Sequence, residues 1–132
     1  ADLFHAGHVA FLSACNKIAR ERNLNLRIGI HSDEAMKEYK RLPVIEMKDR
    51  VTVAKACRFV DSVVENAPLK VTEEFMKNHN IALVAHAHPE EEQAKYDEMY
   101  HDPVRLGKFL RLEYTPGIST SQIINTIRAR EL

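Results

Sequence analysis

Apolar residues along this chain change between helical and strand spacing several times. They recur at helical spacing from His8 to Arg22, and the run LNLRIGI at residues 24–30 then has the apolar character of a buried strand. A short helical stretch containing Glu34 and Met36 follows, and after the loop KEYKRLPVIEM a second long helix runs from Lys48 to Cys57. The first half therefore predicts helix, strand, helix and helix in that order.

The second half continues the alternation. The middle of FVDSVVENAP is strand-like until Pro68 ends it, and KVTEEFMKNHN predicts a further helix capped by Thr72. IALVAHA is an unbroken apolar run of the kind found in parallel strands that are covered on both faces. A polar helical patch from Glu90 to Tyr100, the strand KFLRLEY and the helix STSQIINTIRAREL, capped by Ser119 or Thr120, complete the pattern.

Strands that alternate with helices predict an α/β protein with a doubly wound, mostly parallel sheet. No linker or repeat divides the chain, so we expect one domain over residues 1–132. A doubly wound fold ordinarily begins with a strand, whereas the first element here is a helix. We therefore expect the first strand of this fold to be missing before residue 1.

Charge and composition narrow the possible partners. Nineteen basic residues balance nineteen acidic ones, so no overall field favours nucleic acid or an anionic membrane, and an anionic ligand needs a local cluster. No apolar run is long enough to cross a bilayer, and no signal peptide is evident. Cys15 and Cys57 have no metal or redox spacing, which favours reduced thiols in a cytoplasmic protein.

The stretch DLFHAGHVAFL places His5 and His8 around Gly7 at a loop-to-helix junction. Free backbone N–H groups and the helix dipole favour an anion there, and a glycine lets the backbone approach it closely. Two imidazoles add donors suited to a phosphate whose charge grows during reaction. Two surface histidines that only cap a helix, and a two-histidine metal site without a third ligand, are the alternatives.

A second junction of this kind occurs near the end of the chain. In YTPGISTSQII, residues 114–124, a strand and a Pro-Gly turn lead through three hydroxyl residues into an amphipathic helix. Such a helix N-terminus binds anions, although ordinary N-capping explains the same residues.

The two junctions together resemble a known family. HAGH followed about a hundred residues later by GISTS is similar to the cytidylyltransferases of the nucleotidyltransferase superfamily, which carry an HxGH motif and a motif close to R-T-E-G-I-S-T-[ST]. HSDEAMKEYK resembles a family segment that ends in a CTP-contacting lysine, here Lys40, and CRFVDSVV resembles R-Y-V-D-x-V-[IV] with Arg58. APLKVTEEFMKNHNIALVAH resembles the choline- and ethanolamine-phosphate members.

The resemblance implies a Rossmann-like fold and a reaction. A phosphate oxygen of a phospho-alcohol attacks the α-phosphorus of CTP, and pyrophosphate leaves, with His5, His8 and Lys40 as the catalytic residues. A magnesium ion is expected on the β- and γ-phosphates, with no metal ligand from the protein. The resemblance implies these nucleotide-binding residues: Asp2, Gly7, Arg58, His86, Tyr114, Gly117, Ile118, Ser119, Thr120 and Ser121.

The chain departs from the family at its phosphate-binding motifs. Of the turn D-G-x-[FY]-D only the last aspartate is present, as Asp2. Tyr114 replaces the arginine of R-T-E-G-I-S-T, which contacts CTP phosphates in the family, and it brings no charge. Some phosphate binding must then come from elsewhere, and Arg50, Arg58 and Arg111 are the candidates.

The residues that the resemblance implies for binding the alcohol substrate also differ from those of the family. Choline-type members read V-A-H-D-D-I-P-Y where this chain reads VAHAHPEE, and Leu69 replaces a tryptophan. Only Tyr100 keeps its place among the aromatic residues that hold a quaternary ammonium. Glu91, in the acidic run Glu90–Glu92, could pair with a primary ammonium, although such a run is more often a solvated helix face. The substrate-binding residues we expect are therefore Leu69, Glu91 and Tyr100, with phosphoethanolamine favoured over phosphocholine.

Three interpretations of the function remain at this point. The first is a CTP:phospho-alcohol cytidylyltransferase. The second is an adenylyltransferase that uses ATP on the same scaffold. The third, motivated by Tyr114 and by the two lost aspartates, is a catalytically silent nucleotide-binding homologue or regulatory subunit. The family resemblance also implies a homodimer whose interface contains Arg58, Phe59, Val60 and Asp61.

Overall fold

The computed structural model describes residues 1–130 and confirms the α/β class. Glu131 and Leu132, the end of the predicted last helix, lie outside the described residues. The elements, in chain order, are α1 Ala6–Glu21, β1 Arg27–Ile30, α2 Asp33–Tyr39, α3 Met47–Ala56, β2 Ser62–Glu65, α4 Glu73–Asn78, β3 Val84–Ala87, a 3₁₀ turn Glu90–Glu92, α5 Gln93–Tyr96, α6 His101–Arg105, β4 Phe109–Leu112 and α7 Thr120–Ala129.

The chain divides into two compact units. The first contains residues 1–67 and the segment from Thr115 onward, and the second contains residues 68–114. Each unit has one parallel pair of strands: β1 pairs with β2, and β3 pairs with β4. The predicted parallel pairing is therefore confirmed in both halves of the chain, while the extent of the predicted domain stays a prediction.

The core of the first unit lies between α3 and its strand pair. Ile30, Val51 and Ala54 are at most 4% exposed, and the partly buried Ile28 and Val63 pack against them. Ile28 and Val63 are also partners in the parallel register of β1 and β2. The apolar residues that predicted these elements thus lie on the faces that the elements bury.

The structure confirms the predicted cap at Thr72, and of the two cap candidates for α7 it identifies Ser119. Thr72 Oγ1 accepts a hydrogen bond from Phe75 N at 3.1 Å, as its position before α4 predicts. For α7 the cap is Ser119, whose Oγ accepts from Gln122 N at 3.1 Å. Thr120 instead donates its hydroxyl to the carbonyl oxygen of Asp2, so its side chain makes a tertiary contact rather than a cap.

The polar patch from Glu90 to Tyr100 is less regular than predicted. It begins as the 3₁₀ turn, continues as the four-residue α5 and ends before α6, which the apolar pattern did not predict. Elements of four and five residues are too short to show a helical period, which explains why the sequence suggested one helix.

No helix in the described part of the chain has both the length and the apolarity that a bilayer-spanning segment needs. Cys15 and Cys57 are unpaired. Burial in α1 raises the pKa of the Cys15 thiol to about 11, so it stays protonated as a core residue.

Candidate active site

His5 and His8 cap the N-terminus of α1 through reciprocal hydrogen bonds. His5 Nδ1 accepts from the backbone N–H of Gly7 at 3.0 Å, and His8 Nδ1 accepts from the backbone N–H of His5 at 3.1 Å. The two rings lie side by side, with centroids 3.9 Å apart. The capping alternative raised by the sequence is therefore correct for the Nδ1 atoms, and the chemistry of the pair depends on the Nε2 atoms.

The two caps determine the tautomers of both rings. A nitrogen that accepts from an N–H carries no proton, so each neutral imidazole holds its proton on Nε2. Burial lowers the pKa of His5, and it lowers the pKa of His8 to about 3, so His8 is neutral at physiological pH. The junction consequently presents two neighbouring neutral N–H donors.

Gly7 makes this arrangement possible. A Cβ at this position would lie 2.8 Å from His5 Cε1 and 3.0 Å from His5 Nδ1, closer than side-chain atoms ordinarily approach. Any larger residue would displace the His5 ring from its cap. The glycine that the sequence suggested for close approach of a phosphate thus also makes room for an imidazole.

The HAGH and GISTS segments meet in the first unit. Ile118 Cγ2 lies 3.5 Å from the position that a Cβ on Gly7 would take, and Thr120 Oγ1 donates to the Asp2 carbonyl at 2.8 Å. Gly117 has a φ of 85°, a left-handed conformation that favours glycine, and it turns the chain into α7. The structure thus brings together two motifs separated by about a hundred residues.

The Asp2 carboxylate holds the loop that follows Lys40. Its Oδ2 accepts from Val44 N at 2.8 Å, and its Oδ1 accepts from Ile45 N at 3.0 Å and from Leu3 N at 3.1 Å. Asp2 is 5% exposed. The aspartate that the resemblance assigned to nucleotide binding thus uses both oxygens to position backbone within the first unit.

Arg50 holds the same loop from the α3 side. Its Nε donates to the Ile45 carbonyl at 2.8 Å, and its Nη2 donates to the His31 carbonyl at 2.9 Å and to Asp33 Oδ1 at 2.7 Å. The side chain is 1% exposed. Ile45 is therefore fixed through its N–H by Asp2 and through its carbonyl by Arg50.

Lys40 is exposed at the C-terminus of α2, and the next residue makes a contact that the sequence analysis missed. Arg41 Nη1 donates to Ser121 Oγ, in the GISTS motif, at 3.3 Å. The available signal was a second basic residue directly after the predicted CTP-contacting lysine. Within the charged run Lys37–Arg41, however, it was indistinguishable from a solvated surface residue.

Arg58 lies outside this network of contacts. Its guanidinium stands 5.0 Å from the ring centre of Phe59, and the residue is exposed. The Phe59 carbonyl accepts from Asn16 Nδ2, and the Asp61 carboxylate binds Arg20 and accepts from Leu26 N at 2.6 Å. The segment is thus fixed to α1 and to the start of β1 while Arg58 stays at the surface.

The second unit contains the remaining predicted residues, and a cluster of rings surrounds His86. Its ring centre is 4.8 Å from that of Tyr96 and 5.1 Å from that of Tyr100. Both tyrosines are buried, and burial raises the pKa of the Tyr100 phenol. Leu69 is half-buried, whereas Glu91 on the 3₁₀ turn and Tyr114 after β4 are exposed.

His88, which replaces an aspartate of the family motif, is 1% exposed in this cluster. Its Nδ1 lies 2.8 Å from His86 Nδ1, and its Nε2 lies 2.7 Å from Gln93 Oε1. Sequence reasoning noted the replacement but not the burial, because histidine is intermediate between the typically buried and the typically exposed residue types.

The donor set around the first site does not form a metal cage. Across residues 1–130, no group of three or more His, Cys, Asp or Glu side chains could hold a metal ion. Both Asp2 oxygens already accept backbone N–H groups. A magnesium ion bound with the nucleotide would therefore take most of its ligands from the phosphates and water, the coordination that Mg²⁺ favours.

Comparison with known proteins identifies the family to which the chain is similar. Residues 1–126 match the family model described as Cytidylyltransferase-like. The choline-phosphate cytidylyltransferase of Saccharomyces cerevisiae is 41% identical over 126 residues, 96% of this chain, and the ethanolamine-phosphate cytidylyltransferase of Arabidopsis thaliana is 35% identical over 133 residues, 97% of this chain. The probable ethanolamine-phosphate cytidylyltransferase of Encephalitozoon cuniculi is 45% identical over 97 residues, 73% of this chain.

These relatives are longer proteins. The matched region is 29% of the yeast protein, 29% of the Encephalitozoon protein and 31% of the Arabidopsis protein. The chain thus spans about a third of the length of the curated relatives that it matches.

The cap geometry predicts a pH dependence. Since the pKa of His8 falls from 6.5 to about 3 on folding, the unfolded chain takes up the proton first as the pH decreases. His8 therefore lowers the free energy of unfolding as the pH falls from 6.5 toward 3, and it has no such effect above that range. Denaturant titrations across this range should show a weaker pH dependence for His8→Gln than for the wild-type chain. Long-range proton–nitrogen NMR should find the proton on Nε2 of His8; an Nδ1 proton, or titration near pH 6.5, would contradict this geometry.

Proposed function

The chain belongs to the cytidylyltransferase-like family, and we propose that it transfers CMP from CTP to a phospho-alcohol, giving a CDP-alcohol and pyrophosphate. One observation carries the proposal: two neutral imidazoles offer adjacent Nε2–H donors at the N-terminus of α1, beside the GISTS segment. A pair of fixed donors suits an α-phosphate whose oxygens gain charge in the transition state.

The reaction needs positioning more than proton transfer. A phosphate oxygen of the alcohol substrate attacks the α-phosphorus in line with the departing pyrophosphate, and no covalent enzyme intermediate forms. His5 and His8 donate to the non-bridging oxygens of the α-phosphate, and their rings are already held by their caps. Because neither ring has to reorient, the donors cost little reorganisation when charge develops.

The start of the loop after α2 supplies positive charge that stabilises the departing pyrophosphate. Lys40 is exposed at the end of that helix and reaches the phosphates, while the free N-terminal amides of α7 add the positive end of a helix dipole. A magnesium ion bound with the nucleotide would neutralise the β- and γ-phosphates.

The acceptor that we propose is phosphoethanolamine, or another phospho-alcohol without a quaternary nitrogen. Supporting this, the imidazole of His86 packs against both Tyr96 and Tyr100, so these rings do not enclose an empty cage in the second unit. A trimethylammonium group depends on such aromatic faces, whereas a primary ammonium has three N–H donors for carboxylates or carbonyls.

We also propose a cytoplasmic homodimer. The two unpaired cysteines support a reducing compartment. Arg58 and Phe59 offer a guanidinium over an aromatic ring at the surface, and such residues are common at the centre of interfaces.

The test of the activity is pyrophosphate release with CTP or ATP across a panel of phospho-alcohols. His5→Ala and His8→Ala should each reduce turnover by about 10²- to 10³-fold, the usual effect of removing one preorganised donor. His101→Ala, an exposed histidine of the second unit, should keep wild-type turnover. Near-normal turnover in either motif variant would exclude that histidine from the mechanism, and turnover with ATP alone would make the protein an adenylyltransferase.

The acceptor preference is tested by steady-state kinetics at saturating CTP. Each good aromatic contact with a trimethylammonium contributes about 0.5–2 kcal/mol, so losing two of them should weaken phosphocholine use by roughly one to three powers of ten. We therefore expect a higher kcat/KM for phosphoethanolamine. Glu91→Gln should reduce that preference if Glu91 pairs with the ammonium, while Glu98→Gln, also exposed in the second unit, should not. A higher kcat/KM for phosphocholine would refute this acceptor.

The dimer is tested by sedimentation at micromolar concentration. Phe59→Asp should convert the dimer to a monomer, because a buried unpaired carboxylate at an isologous contact is introduced twice. Val104→Asp places the same charge at a residue that is 50% exposed in the second unit, and it should leave the dimer intact. A wild-type chain that sediments only as a monomer would rule out the dimer.

A further inference from the structure

We propose that Arg41 is a nucleotide-phosphate ligand that supplies the positive charge lost where Tyr114 replaces the family arginine. The inference rests on the proposed function, since it assumes a nucleoside triphosphate in the first unit. It adds a residue that neither the sequence motifs nor the family resemblance had indicated.

The position of the guanidinium is the first argument. Arg41 directly follows Lys40, and its Nη1 donates to Ser121 Oγ in the first turn of α7. It therefore joins the two segments that are expected to hold the nucleotide phosphates. The Arg41 backbone N–H also donates to the Met36 carbonyl at 3.0 Å, which fixes where the side chain starts.

The unsatisfied donors of Arg41 are the second argument. Its Nε is buried and has no hydrogen-bond partner, and its one side-chain bond, to Ser121, is long at 3.3 Å. No carboxylate in residues 1–130 forms an ion pair with it. A guanidinium has five N–H donors in a fork that matches a phosphate, so this one is still short of acceptors.

Electrostatics point to the same ligand. A guanidinium beside the first turn of α7 adds positive charge to the positive end of a helix dipole, which is unfavourable by itself. An anion in contact with both reverses the sign of that interaction. A phosphate oxygen placed there would also give the arginine its missing acceptor.

The three arginines that the sequence offered as candidates for phosphate binding are less suited to the role. Arg50 also has a buried Nη1 without a partner, but its side chain is 1% exposed and its other nitrogens bind protein atoms. Arg58 stands over Phe59, and Arg111 donates to the His88 carbonyl and to Glu113. Arg41 is half-buried, and its one side-chain hydrogen bond joins it to Ser121 in the GISTS motif, which neither Arg50, Arg58 nor Arg111 contacts.

The experiment measures equilibrium binding of CTP and of cytidine, which lacks the phosphates. Arg41→Gln removes the charge and keeps a side chain of similar polarity, and Arg128→Gln makes the same change at an exposed residue of α7. Charge-assisted hydrogen bonds predict that Arg41→Gln raises the Kd for CTP roughly 10- to 100-fold and leaves the Kd for cytidine unchanged. Arg41→Lys, which keeps the charge without the guanidinium fork, should recover part of the loss.

Three results would overturn the proposal: equal CTP affinity for Arg41→Gln and Arg128→Gln, equal weakening of cytidine and CTP, or no CTP binding by the wild-type chain. Thermal unfolding should be the same for both variants, which separates a lost ligand contact from a damaged fold. If the wild-type chain binds CTP but releases no pyrophosphate with any phospho-alcohol, the transferase activity is refuted while the binding comparison still decides the role of Arg41.

Discussion

The first unit depends on the carboxylate and carbonyl of Asp2. Its carboxylate accepts the backbone N–H groups of Val44 and Ile45, and its carbonyl accepts the hydroxyl of Thr120. Hydrogen bonds to a charged acceptor contribute about 1.5–3 kcal/mol each, and a buried N–H left without a partner costs a comparable amount. One residue thus fixes the loop after Lys40 and the start of α7 relative to the HAGH segment, so the candidate catalytic groups have defined positions before any ligand binds.

In the proposed reaction this arrangement would separate two tasks of a phosphate site. His5 and His8 are neutral donors whose direction is set by backbone caps, whereas the cations Lys40 and Arg41 lie on the adjoining loop. Neutral donors at the reacting phosphorus stabilise developing charge without binding the ground-state anion too strongly. In the proposed reaction, cations at the leaving phosphates would supply affinity, and their long side chains can adjust to the triphosphate while the loop backbone stays fixed.

The sequence predicted most of the elements, because the apolar period depends only on which faces are buried. It located the HAGH and GISTS segments because helix N-termini need particular residue types. It did not distinguish Ser119 from Thr120 as the cap, since both carry a hydroxyl and only the Asp2 carbonyl, more than a hundred residues away, binds Thr120. Arg41 was hidden for the same reason: its partner Ser121 is eighty residues distant, and a charged run gives no sign of which member turns inward.

The hydrogen bonds of the second unit explain how it accommodates Ala87 and His88 in place of the family's two aspartates. The Asp97 carboxylate only accepts, so it orients the Gln93 amide with Nε2 toward itself and Oε1 toward His88. His88 Nε2 must then donate to Gln93 Oε1, and its Nδ1 lies 2.8 Å from His86 Nδ1, within hydrogen-bond distance. The end of β3 thereby carries, in place of two carboxylates, a chain of hydrogen-bonded side chains in which the buried His88 has partners at both nitrogens. The replacement removes two carboxylates from the second unit, and it leaves no polar atom of His88 without a hydrogen-bond partner. For this reason it is compatible with a stable fold.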